Sequence, residues 1–450
     1  MAHSRKIPYD IGKRCGVKRP SQGGLALETR HDLELLRQGY YTDAYFSNTT
    51  AILERLAREG YVYQGVPVGD MEVEMQFFPR RQPFAVLVGV DEAVYILREC
   101  TGFYGADGSF VNTFHELEVQ AARDGALVPY RGDPADVTPV LKVRGKYRYF
   151  GQLETPILGV LTEGSRVGTN VYNTLTAARG KDILFFPARF AHYKVQPLHG
   201  FAYKTAVDAY NRHHRTESQV FVSTHAQGAY FGGRGGGTIS HASIACFLGN
   251  TVETMLQFCR IMPPAVPRIA LIDFQNDCVG EARRVLAAMF HLYLEATLCG
   301  DEHKAAMYRL FGVRPDTAGN MRDCSVEATG EKESDLGVNP RLVRNIRRAL
   351  DTAPESWDIP EEHRALAESY CRNVKIVVTG GFDVARIARF EALGVPVDMY
   401  GVGSSLLENA RGSTTDFTAD IVRVKISGVW QELAKQGRKP NVNPELKAVT

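Results

Sequence analysis

"VKIVVTGGFDVARIARFEALGVPVDMYGVGSSLL" (374–407) holds the repeating unit from which the fold is read. A short apolar run ends in Thr379, Gly380 and Gly381. An amphipathic stretch follows, and a second apolar run ends in Gly401, Gly403 and Ser404. A continuous apolar run bounded by turn residues is the pattern of a strand buried on both faces, and apolar positions recurring every three or four residues in "VARIARFEAL" are those of a helix that covers it. The unit recurs upstream. "DILFFPAR" (182–189) and "SQVFVST" (218–224) read as strands, "PRIALIDF" (267–274) leads into the helix "GEARRVLAAMFHLYLEATL", and "RLFGVRPD" (309–316) leads into a polar loop. Repeated strand–turn–helix units predict a parallel sheet, either doubly wound or a closed or partly closed barrel.

The preceding part of the chain reads differently. "LELLRQGYYTDAYFSNTTAILERLAREG" (33–60) has one helical periodicity with Gly60 as its stop, and "MEVEMQFF" (71–78) alternates like a half-buried strand. "FAVLVGV", "VYIL" and "VTPVLKV" read as further extended runs, and "GQLETPILGVLTEGSRVGTNVYNTLTAA" (151–178) as a helix carrying the chain into the next domain. The polar segment 319–340, "GNMRDCSVEATGEKESDLGVNP", reads as a surface excursion, and the strand-rich tail from Phe417 as a return to the first domain. The expected division is an α/β domain over 1–150, a barrel over 151–410 and a returning segment over 411–450.

Composition narrows the function classes. Hydrophobic residues make up 44% and charged residues 23%, with a net charge of +2, which are globular values that do not favour a polyanionic partner such as nucleic acid. No apolar run approaches the ~18 residues of a membrane span, and the basic amino terminus lacks the apolar stretch of a signal peptide. The eight cysteines form no CxxC pair, which argues against a zinc knuckle or a dithiol site and for free thiols in a reducing cytoplasm.

In a parallel α/β fold the chemistry gathers at the carboxyl ends of the strands, where loops feed helix N-termini that attract anions. Thr379, Gly380 and Gly381, with Asp383 able to cap the next helix, occupy one such loop. Gly401, Gly403, Ser404 and Ser405 occupy the next. Glycines let backbone amides approach a phosphate and hydroxyls add donors. Upstream strand ends supply Arg189, Asp273, Arg314 and Asp316, suited to phosphate or carboxylate and to Mg²⁺ or ribose hydroxyls. "GGRGGGTISHAS" (232–243) fails as a P-loop, because Thr238 stands where the lysine belongs, and as GxGxxG. It leaves a glycine-rich approach to Thr238 and His241, and spacing alone leaves His241 open between a functional and a structural histidine.

Taken in order, "TDAYF" (42–46), "FFPRRQPFAVLVG" (77–89), "LETPILGVL" (153–161), "GTISHAS" (237–243), "PRIALIDF", "GVRPDT" (312–317), "VTGGFD" (378–383), "GVGSSLL" (401–407) and "DFTADIVRV" (416–424) resemble the motifs of the nicotinate phosphoribosyltransferase family, type II phosphoribosyltransferases related to the quinolinate and nicotinamide enzymes. The resemblance implies an incomplete α/β barrel beside an N-terminal α/β sheet domain completed by the C-terminal segment. It implies transfer of the phosphoribosyl group of 5-phosphoribosyl-1-pyrophosphate to nicotinate, with Mg²⁺ as cofactor and ATP as co-substrate, in a cytoplasmic homodimer or higher homo-oligomer. On this resemblance His241, Asp273 and Asp316 are catalytic, with His241 the histidine that receives a phosphoryl group from ATP. Tyr45, Arg189, Thr238 and Arg314 bind substrate, Tyr45 reaching the pyridine ring bound by the partner chain. Thr379, Gly380, Gly381, Gly401, Gly403 and Ser404 bind phosphate; the residues that hold the metal are left unassigned.

The chain departs from the family pattern in two places. "DFQND" replaces the usual aspartate–threonine run after Asp273, and Phe190 replaces a second arginine after Arg189, a charge that Arg234 is placed to restore. Nicotinamide, quinolinate or another nitrogen heterocycle as the base, and a non-catalytic sensor of phosphoribosyl compounds, remain alternatives, since a pocket built from several loops is not specified by motifs.

Overall fold

Two six-stranded sheets organise the chain, which the structure, a computed structural model, describes over residues 30–449. The basic amino-terminal stretch and Cys15 lie outside the described residues. In chain order the strands are β1 (Glu72–Pro79), β2 (Phe84–Val86), β3 (Gly102–Tyr104), β4 (Phe110–Asn112), β5 (Glu118–Ala121), β6 (Leu127–Pro129), β7 (Leu141–Lys146), β8 (Asp182–Phe185), β9 (Phe221–Val222), β10 (Ile269–Leu271), β11 (Gly312–Arg314), β12 (Lys375–Val378), β13 (Met399–Val402), β14 (Phe417–Ile426), β15 (Val429–Glu432) and β16 (Lys447–Ala448). The first sheet is antiparallel in the order β15-β14-β1-β7-β5-β16, and the second is parallel in the order β10-β11-β12-β13-β8-β9. The edge strands β9 and β10 do not pair with each other, so the barrel is incomplete, as the family resemblance implies.

The amino-terminal helices are α1 (Arg30–Arg37), α2 (Ala44–Glu59) and α3 (Val90–Cys100), and α4 (Glu154–Ala177) links the two sheets. In the barrel, α5 (Gln196–His214) follows β8, and α6 (His241–Cys246) and α7 (Thr251–Ile261) precede β10. Then α8 (Cys278–Leu298) and α9 (Glu302–Met307) separate β10 from β11. The segments α10 (Lys332–Asp335), α11 (Pro340–Thr352) and α12 (Arg364–Arg372) separate β11 from β12, and α13 (Val384–Ala392) joins β12 to β13. No helix among the described residues is long and apolar enough to cross a membrane. All seven described cysteines are free.

Four sequence expectations are corrected. "VYIL" is not a strand but the middle of α3, where Ala93, Ile96, Leu97 and Cys100 form one buried helical stripe. Four apolar residues cannot by themselves distinguish strand from helix. The periodic stretch 33–60 is two helices, interrupted after Arg37 by the turn at Gly39, with Gly60 ending α2 in a left-handed conformation. The excursion 319–340 is not simply a surface feature. Asp323, Val326, Val338 and Asn339 are buried, and the Asp323 carboxylate accepts the amide of Cys278 at the start of α8 (2.8 Å). Finally, β1 is not half-buried, since every residue after Glu72 is buried.

That last correction explains how the chain's end completes its first domain. Val73, Met75 and Phe77 face the apolar core, while Glu74 and Gln76 face the other side. Gln76 donates to the Lys439 carbonyl and accepts the amide of Asn441, both at 3.0 Å, so the tail covers this face. Glu74, fully buried, accepts hydrogen bonds from Arg144 of β7 at 2.7 Å and from Arg423 of β14 at 3.1 Å, with Lys142 at 3.5 Å. Burial alone would raise its carboxyl, but these cations hold it below the usual carboxylate range. Helix α4 docks against the chain after β1 through Gly164 and Gly168, where an added Cβ would meet the Val88 backbone oxygen at 3.0 Å and its Cγ2 at 2.8 Å. At this close approach Ser165 and Thr169 accept the amides of Val88 and Val86, replacing a neighbouring strand.

Glu74→Ala removes one carboxylate from among three cations on two neighbouring strands. It is expected to destabilise the protein by about 3–5 kcal/mol, measured as a shift in the urea midpoint.

Candidate active site at the carboxyl ends of the parallel strands

Because the strands of the second sheet run parallel, their following loops open at one mouth. Ile272 and Asp273 follow β10, Arg314 ends β11 with Asp316 beyond it, Thr379 to Gly381 follow β12, and Gly403 to Ser405 follow β13. A connected set of polar contacts joins these neighbours. Thr379 Oγ1 donates to Asp316 Oδ1 at 2.7 Å and lies 3.4 Å from Arg314 Nη1, and Arg314 Nη1 lies 3.5 Å from Asp316 Oδ2. Arg314 Nη2 donates to the Ile239 carbonyl at 3.3 Å, tying the loop that carries His241 to the barrel. Burial pulls the Arg314 guanidinium down from its usual range, partly offset by the negative charges of Asp316 and Asp273.

His241 begins α6, where Ser240 and Ser243 form a reciprocal cap that fixes the turn. Its Nε2 lies 3.1 Å from both oxygens of Asp273. The histidine side chain is 48% exposed and the aspartate 8%, so an open imidazole is held by a nearly buried carboxylate. Burial raises the Asp273 carboxyl; the neighbouring His241 opposes that shift and the charge of Asp316 adds to it. The glycine run before this loop serves packing. A Cβ on Gly235 would come within 2.5 Å of the Thr224 backbone, and the Gly236 amide donates to the Val222 carbonyl at the end of β9.

The remaining candidates sit at varying distance from this set. A Cβ on Gly401 would meet Thr379 Cγ2 at 2.5 Å and the Phe186 ring at 2.8 Å, and one on Gly403 would meet the Phe190 ring at 2.7 Å. Close side-chain packing is therefore reason enough for glycine at both positions. Phe190, read from sequence as a lost arginine, lies over the second loop with the exposed Arg189 guanidinium 5.5 Å from its ring. Arg189, Arg234 and Thr238 have no polar side-chain partner among the described residues. Ser404 is exposed at the mouth. Tyr45 is not part of the set. It projects from α2, 61% exposed, with its hydroxyl 3.3 Å from Asp43.

Sequence reading missed the supports behind these loops. From α4, Arg166 donates to the Leu407 carbonyl at 2.5 Å, and Asn170 donates to the carbonyls of Leu406 and Glu408 at 3.2 and 3.0 Å, holding the loop after β13 from behind. Arg166 also pairs with Glu163, whose other oxygen takes a 2.7 Å contact from His199 of α5. The available signal was an arginine and an asparagine four apart, Arg166 and Asn170, both buried on a helix that is buried over nearly all of 164–175.

No family model matches the chain. By sequence it is 24% identical over 298 residues to nicotinate phosphoribosyltransferase pncB1 of Mycobacterium tuberculosis, an alignment covering 64% of this chain and 50% of that protein. The chain spans about half the length of the curated relatives it matches. By structure it is similar to nicotinate-nucleotide pyrophosphorylase from Pyrococcus furiosus, with a TM-score of 0.61 and 23% identity over 96% of this chain and 86% of the other. The chain has the nicotinate phosphoribosyltransferase fold. Human nicotinic acid phosphoribosyltransferase shares it, with a TM-score of 0.53 and 18% identity over 85% of this chain and 74% of that one. The resemblance carried by the ordered motifs is thus borne out, and in this phosphoribosyltransferase fold the connected set lies at the carboxyl-end mouth where such α/β folds take ligands.

Two measurements test the supports. Gly401→Ala is expected to cost about 1–3 kcal/mol through overpacking against Thr379 and Phe186, read from thermal denaturation. The His199 hydrogen bond, with help from Arg166 and against the effect of burial, holds the Glu163 carboxyl down at about 2. Its folded value lies below the unfolded one, so its contribution is complete above the ordinary glutamate range near ~4.3 and is lost as pH falls toward about 2. Glu163→Gln is therefore expected to flatten the acid limb of the stability–pH curve measured by urea unfolding.

Proposed function

We propose that this chain is a nicotinate phosphoribosyltransferase, forming nicotinate mononucleotide and pyrophosphate from nicotinate and 5-phosphoribosyl-1-pyrophosphate, with ATP hydrolysed through a phosphohistidine, in cytoplasmic NAD biosynthesis or salvage. The observation that carries the reading is the connected set of His241, Asp273, Arg314, Asp316 and Thr379 at one mouth of the half-barrel. It is supported by the fold and by the names of the relatives.

The chemistry follows from what each group can do. The pyridine nitrogen attacks the anomeric carbon as the bond to pyrophosphate breaks, and the pyrophosphate leaves with the bonding electrons. Alignment of nucleophile and leaving group, and neutralisation of the charge that departs, lower the barrier. Asp273 and Asp316 are suited to the ribose hydroxyls, Arg314 and Arg189 to anionic groups, and the loop at Gly380–Gly381 and the loop at Gly403–Ser404, which follows Gly401 of β13, to the 5-phosphate. Asp273 and Asp316 stand just beyond the neighbouring strands β10 and β11, and carboxylates completed by substrate phosphates suit Mg²⁺. Bound there, the ion would neutralise pyrophosphate.

For the ATP step, an ionised carboxylate only accepts, so His241 Nε2 carries the hydrogen given to Asp273 and the lone pair lies on Nδ1. In this reading Nδ1 attacks the γ-phosphorus, the bond to the bridging oxygen breaks, and ADP leaves with the electron pair. Asp273 steadies the imidazolium as charge develops. Tyr45, exposed on α2, is suited to stack on the pyridine ring of a partner chain in a homodimer.

Purified protein with Mg²⁺ and 5-phosphoribosyl-1-pyrophosphate is expected to convert nicotinate to its mononucleotide, faster with ATP. His241→Ala is expected to retain basal transfer and lose the ATP stimulation. Mass spectrometry with nicotinate, nicotinamide and quinolinate side by side identifies the base, and no mononucleotide from any of them would refute the enzyme reading.

A further inference from the structure

Behind the loop after β12, three consecutive carbonyls are taken up by side chains. Arg386 Nη1, from α13, donates to the carbonyls of Gly380 at 2.6 Å and Gly381 at 3.1 Å, and its Nη2 donates to the Val338 carbonyl at 2.6 Å. Ser405 Oγ, from the loop after β13, donates to the Phe382 carbonyl at 3.0 Å. The guanidinium carbon lies 4.2 Å from the centre of the Phe382 ring, which fixes the plane of the fork. The amides of Gly380, Gly381, Phe382 and Asp383 donate to no protein group among the described residues.

In a trans peptide the carbonyl and the next residue's amide point in opposite directions. Holding the carbonyls of Gly380 and Gly381 on the guanidinium therefore turns the amides of Gly381 and Phe382 away from it. The positive φ values of Gly380 and Gly381, 94° and 73°, allow this conformation at both residues. Successive free amides on one side of a turn form an anion-binding concavity. Arg386 has no carboxylate within ion-pair distance among the described residues; the charge of Asp383 acts on it from further off, so part of its positive charge behind the concavity remains to attract an anion. Its grip on Val338 also anchors the loop to the buried part of the segment 319–340.

We propose that Arg386 is a positioning residue that, with Ser405, shapes the backbone of residues 380–382 into the cradle for a phosphate monoester. The identification of that monoester as the 5-phosphate of the phosphoribosyl substrate rests on the function proposed above; the cradle itself does not. Its role is set by the two-pronged fork and not by charge alone, so lysine is a poor replacement.

The test is calorimetric titration of the wild type, Arg386→Gln, Arg386→Lys and Ser405→Ala with ribose 5-phosphate and with inorganic phosphate, alongside thermal denaturation of each. The wild type is expected to bind ribose 5-phosphate. Arg386→Gln should weaken binding by about tenfold or more, the loss associated with misaimed backbone donors, and Arg386→Lys should recover only a small part. Ser405→Ala, which removes a single hydroxyl and keeps the fork, should weaken binding by a few-fold without lowering the thermal midpoint appreciably. In steady state the KM for 5-phosphoribosyl-1-pyrophosphate should rise more than the KM for the base. No binding by the wild type, equal affinity in Arg386→Gln, or full recovery in Arg386→Lys would each overturn the proposal. Mononucleotide formation by the wild type decides the function separately.

Discussion

The site depends on a mostly buried cation. Arg314 ends a three-residue strand, and its guanidinium sits among Asp316, the Thr379 hydroxyl and the Ile239 carbonyl. A charge removed from water is tolerated only where it is paired and hydrogen-bonded, so the loops that supply those partners are drawn to one place. Three segments far apart in sequence are fixed together in this way: the loop leading to His241, the end of β11 and the start of the loop after β12. Asp273, just past the neighbouring strand, holds His241 in the same neighbourhood.

The same economy operates at the back of the site. Helix α4 is shared by both sheets. Small residues on it admit the chain of the first domain, while Arg166 and Asn170 hold backbone carbonyls of the loop after β13. Arg386 does the corresponding work for the loop after β12. In each case a long side chain takes carbonyls from behind. The backbone donors of a loop can then be aimed without spending side chains at the mouth itself, which leaves room there for a ligand.

Much of the fold and part of the site were legible in the sequence, for specific reasons. Apolar runs that end in glycine or in a charged residue identified the barrel strands, and each strand's last residues named Asp273, Arg314, Asp316 and Thr379 in advance. Asp383, read as a cap, accepts the Arg386 amide at 2.8 Å. What misled was local ambiguity. "VYIL" has no period of its own, and the polar composition of 319–340 hid a buried aspartate that accepts the first amide of α8. The roles of Gly401 and Gly403 were underdetermined, because a glycine needed by a phosphate and one needed by a phenylalanine ring look alike in sequence.

Sequence by itself determined the strand–helix units, their parallel arrangement and the types of group at each strand's carboxyl end, because these follow from nearest-neighbour periodicity and from the chirality of the chain. Only the tertiary structure decided which groups meet. The engagement of His241 with Asp273, the three cations around Glu74 and the grip of Arg386 on two glycine carbonyls are contacts of side-chain direction and burial. They depend on how strands settle against one another, which no local pattern encodes.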